Sequence, residues 1–200
     1  MVIVSCFLGL TASAQVSNAF IGNTTNFCSS DSTIVVLNSL PADLGDYEAI
    51  FIFSNASSGL SDSDVAKIIN YAESGGGLYL GAENWPLQAE SNQITEKLYL
   101  KSSYGSYDQE IADNPPGGNL KLNELDTIPA GRSTVAFPLD YRLKVEAWVD
   151  DQPLIQSGQI GEGRIIVDGG YSRFYCDQRN NDTDSILVRF INYLTQKQED

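Results

Sequence analysis

The sequence predicts one α/β domain, a parallel β-sheet with helices on both faces and a small antiparallel insertion. Three observations carry this. Short β-branched and aromatic runs recur at Thr33–Leu37, Ala49–Phe53, Leu78–Leu80 and Arg164–Asp168; strands buried on both faces read as continuous apolar runs of this kind. Between the second and third runs lies a stretch with helical spacing, closed by Gly75-Gly76-Gly77, and strand, helix, strand in that order is the crossover that a parallel pair requires. A chain of 200 residues with 42% hydrophobic and 10% aromatic content supports one sizeable core and is short for two.

The opening residues read as an export signal. Val2 to Leu10 is apolar, and Ala12-Ser13-Ala14 before Gln15 is a small-x-small cleavage pattern. Residues 1–14 are therefore expected to be a signal peptide and 15–200 the domain, with a secreted or periplasmic location. The basic n-region usual in such signals is missing, since Val2 follows Met1 directly. The run is shorter than the roughly 18 apolar residues of a membrane span. Removing the signal leaves Cys28 and Cys176, either bridged in an oxidising compartment or standing as two buried thiols. Neither has a Cys-x-x-Cys neighbour, so a zinc site or redox pair lacks its ligands.

The remaining elements follow in order. Pro41 and the polar Asp43–Tyr47 separate the first two strands. Ser61 stands three residues before Asp64 in a capping-box-like arrangement, and Val65, Ile68, Ile69 and Ala72 share one helical face. Ser91 to Leu100 is helical, with Ile94 and Leu98 facing inward. From Lys101 to Gly131 the pattern fades into Ser, Tyr, Gly and Asp, broken by Pro115-Pro116-Gly117-Gly118, which predicts a long loop. Ser133–Phe137, Leu143–Val149 and Pro153–Ser157 alternate like strands about an Asp150-Asp151 turn, giving the antiparallel section. A last helix starts near Asp182 or Thr183 and buries Ile186, Leu187, Phe190, Ile191 and Leu194.

Charge and composition exclude several functions. Twenty-six acidic against 12 basic residues give a net charge of −14, a field that repels phosphate backbones and anionic lipid heads. The chain contains no histidine, so no histidine base, acid or metal ligand is available. There is no Gly-x-Ser-x-Gly elbow and no phosphate-binding Gly-x-x-x-x-Gly-Lys run. Gly75-Gly76-Gly77 ends a helix where a phosphate loop would open one.

The order Asp46-Tyr-Glu-Ala-Ile-Phe-Ile52, Leu60-Ser-Asp62, an amphipathic helix, then Gly75-Gly-Gly-Leu-Tyr-Leu-Gly81 resembles the class I glutamine amidotransferase-like superfamily, including its trehalose-utilisation-like branch. Gly161-Glu-Gly-Arg-Ile-Ile-Val167 and the helix after it are similar to the closing strand and helix of that fold. The likeness covers Thr33 to Glu83 and Gly158 to Leu194 and implies a Rossmann-like, flavodoxin-like scaffold. Active glutaminases of the family carry a cysteine on a sharp turn after a strand, with a histidine and a glutamate downstream. That turn would fall at Gly81-Ala82-Glu83-Asn84, where no cysteine stands. The resemblance thus implies the scaffold without the glutaminase reaction, as in the family's non-catalytic modules.

In an open parallel sheet, ligands bind beyond the carboxyl ends of the strands. Those ends present Asn55, Glu83, Asn84, Trp85, Asp168, Tyr171 and Arg173, a set suited to a sugar or another small polar ligand. The same residues have plainer readings: Asp168 and Arg173 as a structural ion pair, Trp85 as a rim aromatic, and Tyr171 with Phe174 and Tyr175 as a lid on the core. An enzyme here would be a glycosidase-type hydrolase using Glu83 and Asp168. Asp177, Asn180, Asn181, Asp182 and Asp184 offer oxygens for Ca²⁺, although the spacing departs from the EF-hand loop. They serve equally as the cap and acidic first turn of the last helix. The expectation is a non-catalytic ligand-binding or protein-interaction module without cofactor or metal, whose partner is a small polar ligand, a sugar or another exported protein.

Overall fold

Five apolar segments lie side by side as parallel strands. They are β1 (Asn18–Gly22), β2 (Ile34–Leu37), β3 (Ala49–Phe53), β4 (Gly77–Gly81) and, late in the chain, β9 (Gly163–Asp168). The computed structural model describes residues 18–27, 33–55 and 59–196. Val2–Leu10, the Ala12-Ser13-Ala14 site and Cys28 lie outside the described residues.

Two antiparallel strands, β7 (Leu143–Val149) and β8 (Gln152–Ile160), extend this sheet beyond β9, giving seven strands in the order β2-β1-β3-β4-β9-β8-β7. The antiparallel section expected over residues 133–157 is present, and its β7 and β8 continue the main sheet. Only β6 (Thr134–Ala136) stands apart, paired with β5 (Tyr104–Tyr107) in a two-stranded sheet. The reason is register. The tight turn at Asp150-Asp151, both at positive φ, folds β8 back on β7, and β8 then pairs along the free edge of β9.

β1 is absent from the sequence reading. Its apolar stretch is three residues, Ala19-Phe20-Ile21, too short for a period. Flanking by β2 on one side and β3 on the other makes it a buried strand.

Alternation along the strands divides the core into two faces. Phe20, Phe51, Phe53, Tyr79 and Ile166 cluster with Ile186, Phe190 and Leu194 of helix α3 (Asn181–Thr195). Ala19, Ile21, Ile50, Ile52, Leu78, Leu80, Ile165 and Val167 cluster with Val65, Ile68 and Ala72 of α1 (Asp62–Glu73) and Ile94 of α2 (Ala89–Lys97). Ser61 Oγ caps α1 by accepting the Asp64 N–H at 3.1 Å, as its spacing predicts. The helices come so close to the sheet that a Cβ on Gly163 would sit 2.0 Å from the Ala72 carbonyl oxygen, and one on Gly77 would sit 2.6 Å from that of Leu194.

The long stretch 101–131 is pinned by a carboxylate. Glu146 of β7, 1% exposed, accepts the N–H groups of Asn119 and Leu120 at 2.8 and 3.1 Å and the Ser157 hydroxyl at 2.6 Å. Leu120, Leu122, Ile128 and Ala130 then join the α3-side core. Irregular backbone is thus held by a buried acceptor and a few apolar anchors, neither of which has a periodic signature.

Candidate functional site

The carboxyl ends of β3, β4 and β9 converge as the fold requires: β4 pairs with both neighbours, and Gly81 stands opposite Phe53 on one side and Asp168 on the other. Asp168 ends β9 and is completely buried, as is Arg173 five residues later. Arg173 Nη1 donates to Asp168 Oδ2 at 2.8 Å, Tyr79 Oη donates to the same oxygen at 2.7 Å, and the Gly170 N–H donates to Oδ1 at 3.0 Å. Arg173 Nη2 donates to the Ala130 carbonyl at 2.9 Å. Burial, reinforced by the Asp168 charge, pushes the Tyr79 phenol well above its ordinary range, so it stays a donor.

Glu83, two residues past β4, is 3% exposed. Its Oε1 accepts the Ser172 N–H at 2.7 Å, and the Ser172 Oγ in turn accepts the Arg132 N–H at 2.7 Å. Burial raises the Glu83 carboxyl to about 7; the Ser172 hydrogen bonds oppose this, and the nearby Asp168 charge adds to it. A carboxyl that titrates near neutrality is a functional signal only if it can be reached.

Aromatic and amide groups close the end of the sheet. Tyr171 is fully buried; its Oη donates to the Ser54 carbonyl at 2.7 Å and accepts from Asn23 Nδ2 at 3.0 Å. Asn23 Nδ2 also reaches Tyr175 Oη at 3.3 Å. Phe27 packs on Phe53 with ring centroids 4.4 Å apart and meets Tyr175 edge-on at 5.5 Å. Ser54 and Ser91 exchange hydrogen bonds at 2.7 and 3.0 Å, and Ser91 Oγ donates to the Gly81 carbonyl at 2.8 Å.

The seven expected ligand residues therefore separate. Glu83, Asp168, Tyr171 and Arg173 share a closed network under the surface. Asn55 is exposed, with its N–H on Glu90 Oε2 at 2.8 Å. Asn84 is half-buried, and Trp85 is 80% exposed at the rim. Asn23, Tyr79, Ser91 and Ser172 complete the network and escaped the sequence reading. For Tyr79, a phenol within an otherwise apolar buried strand was the available signal.

The oxygen-rich segment at α3 serves the helix. Asn180 Oδ1 accepts the Thr183 N–H at 2.9 Å, and Thr183 Oγ1 accepts the Asn180 N–H at 2.8 Å, a capping box. Asp177 pairs with Arg132, Asp182 with the Thr127 hydroxyl, and Asp184 with Arg179. Of the residues considered for Ca²⁺, Asp177, Asn181, Asp182 and Asp184, the three aspartates are thus each engaged by a different partner. Among the described residues no three Asp, Glu, Cys or His side chains are placed to hold a metal ion, and no helix is long and apolar enough to cross a membrane.

No family model and no curated protein matches this sequence. Solved structures match its fold. The cytoplasmic protein STM1381 from Salmonella typhimurium LT2 is 13% identical with a TM-score of 0.68, over 90% of this chain and 100% of that one. The cytoplasmic protein STM3548 from Salmonella typhimurium is 11% identical with a TM-score of 0.65, over 91% and 100%. A β-galactosidase from Rahnella sp. R3 is 13% identical with a TM-score of 0.59, over 90% of this chain and 30% of the enzyme. At these identities the likeness shows the fold.

The two Salmonella proteins overturn the expected secreted or periplasmic location: both are cytoplasmic and are matched along their whole length.

Proposed function

We propose that this chain is a non-catalytic protein-interaction module on a Rossmann-like, amidotransferase-like scaffold with helices on both faces of its sheet. One observation carries the reading: the strand-end crevice, where this architecture does its chemistry, is filled by the protein's own Asp168, Arg173, Tyr171 and Glu83. Asp168 has three donors on its oxygens and no exposure. A general acid or base must come within about 3 Å of the proton it moves, so Asp168 has no path to a substrate. The two-carboxylate hydrolase loses one of its carboxylates on this ground, and a small polar ligand loses its cleft. The Rahnella β-galactosidase, matched over 30% of its length, supports the reading further, since there the same fold is one part of a larger chain.

Incubation of the purified protein with nitrophenyl glycosides and with glutamine tests this. No turnover above buffer is expected. Hydrolysis that Glu83→Gln abolishes would overturn it.

We also propose that Cys176 is bridged to Cys28. The Cys176 N–H donates to the Asn26 carbonyl at 2.8 Å, and Phe27 forms an antiparallel bridge with Tyr175. The chain entering Cys28 therefore runs beside Cys176. Peptide mapping without reductant is expected to yield a peptide pair joining positions 28 and 176; a pair joining Cys6 to Cys176, or a free thiol at 176, counts against it.

A further inference from the structure

Arg142 organises a surface that neither the core nor the strand-end network uses. Its Nε and Nη2 donate to the Asp140 carboxylate at 2.8 and 2.9 Å, while Nη1 and Nη2 donate to the Leu98 and Tyr99 carbonyls at 3.1 and 2.8 Å. The hydrogen bonds from Arg142 hold the Asp140 carboxyl below its ordinary range. This frame ties the turn before β7 to the end of α2. Mounted on it are Tyr99, Leu139 and Tyr141, which are 89%, 61% and 97% exposed, and the Arg142 guanidinium lies 5.9 Å from the Tyr141 ring.

Tyr99 breaks a local rule to be there. It follows the α2 C-cap at φ 57, the left-handed position that glycine normally fills, and its ring receives no burial in return. The turn itself closes α2, with the Tyr99 N–H donating to the Glu96 carbonyl at 3.1 Å and the Leu100 N–H to the Thr95 carbonyl at 2.8 Å, so the backbone has a structural role and only the choice of an exposed tyrosine over glycine is left to the surface. Tyrosine and arginine are also enriched among the residues that dominate protein interfaces, and here the arginine is fixed by its hydrogen bonds.

The two segments that build this frame run against the charge of the rest of the chain. Residues 96–101 and 139–144 hold four of the 12 basic residues, Lys97, Lys101, Arg142 and Lys144, and two of the 26 acidic ones. Lys101 is near enough to Asp140 to help lower its carboxyl. Outside these stretches 24 acids face eight bases.

Resting on the interaction-module reading, we infer that Tyr99, Leu139 and Tyr141, flanked by Lys101, Arg142 and Lys144, form a docking surface for an acidic polypeptide segment bearing apolar side chains. The apolar side chains seat against the two rings and Leu139, and the lysines steer and hold the carboxylates. A saccharide fits less well. It needs free directional donors and acceptors beside the rings, and those of Arg142 and Asp140 are already engaged with each other and with backbone.

The test is fluorescence anisotropy with a labelled dodecapeptide of Glu-Glu-Leu repeats, its Lys-Lys-Leu counterpart, and cellohexaose as competitor. The acidic peptide is expected to bind, to weaken with added salt, and to lose at least about tenfold in affinity with Tyr141→Ser and with Tyr99→Gly. Tyr99→Gly is expected to leave the melting temperature unchanged or higher, since glycine is unstrained at that φ. A drop in affinity without loss of fold is an outcome that a merely structural Tyr99 does not produce. Equal binding of the basic peptide, no binding of the acidic one, binding indifferent to Tyr141→Ser, or displacement by cellohexaose each overturns the proposal. So does a dimer in sedimentation that Tyr141→Ser dissociates, which would make a second copy the occupant. Failure here with no glycosidase or glutaminase turnover removes this surface alone; turnover removes the non-catalytic reading itself.

Discussion

Asp168→Ala is expected to destabilise the protein by about 3–5 kcal/mol, the range for removing one partner of a buried ion pair, and to lower the melting temperature by roughly 10 °C in a domain of this size. Arg173 would be left charged at zero exposure, and the Tyr79 hydroxyl and the Gly170 N–H would lose their acceptor. The cost comes from the orphaned partners more than from any intrinsic strength of the pair. Asp168→Leu combined with Arg173→Met is therefore expected to recover a large part of the loss, since both buried charges disappear together. Urea denaturation of the three proteins measures this. A loss below about 1 kcal/mol for Asp168→Ala would mean that Asp168 is not a structural counter-ion, and the strand-end crevice would again be open to a ligand or catalytic role.

Stability should also fall across neutral pH because of Glu83, in the sense opposite to an ion-paired carboxylate. Its carboxyl moves from 4.5 to about 7 on burial, so the folded state holds the proton more tightly than the unfolded chain does. The contribution is fully present below pH 4.5 and is lost as the pH rises through about 7. The difference corresponds to about 3 kcal/mol at most, as an order of magnitude. Glu83→Gln keeps an acceptor for the Ser172 N–H and removes the titration. The variant is expected to show a flatter urea midpoint between pH 4.5 and 7 and to exceed the native protein at pH 8. A variant whose profile keeps the native slope would place the titrating group elsewhere.

Much of the scaffold was legible because it is written in local patterns. The strands over 34–37, 49–53, 77–81 and 163–168, the capped start of α1 at Ser61 and the apolar face of α3 all fall where the runs and spacings place them. What was missed depends on neighbours. Ala19-Phe20-Ile21 becomes a strand because β2 and β3 flank it, and the 101–131 stretch is held because Glu146 accepts two of its N–H groups from across the fold.

The sequence by itself determined that no histidine chemistry occurs, that the charge repels polyanions, and that Asn55, Glu83, Asn84, Trp85, Asp168, Tyr171 and Arg173 stand at strand ends. Only the tertiary structure decided which of them face water. Position along a strand follows from the two-residue period and can be counted, whereas exposure at a strand end depends on what the connecting segments lay over it. Here Tyr171 and Tyr175, joined by Asn23 and Phe27 from the start of the domain, lie over that end. A crevice that the strand order would leave open is thereby turned into core.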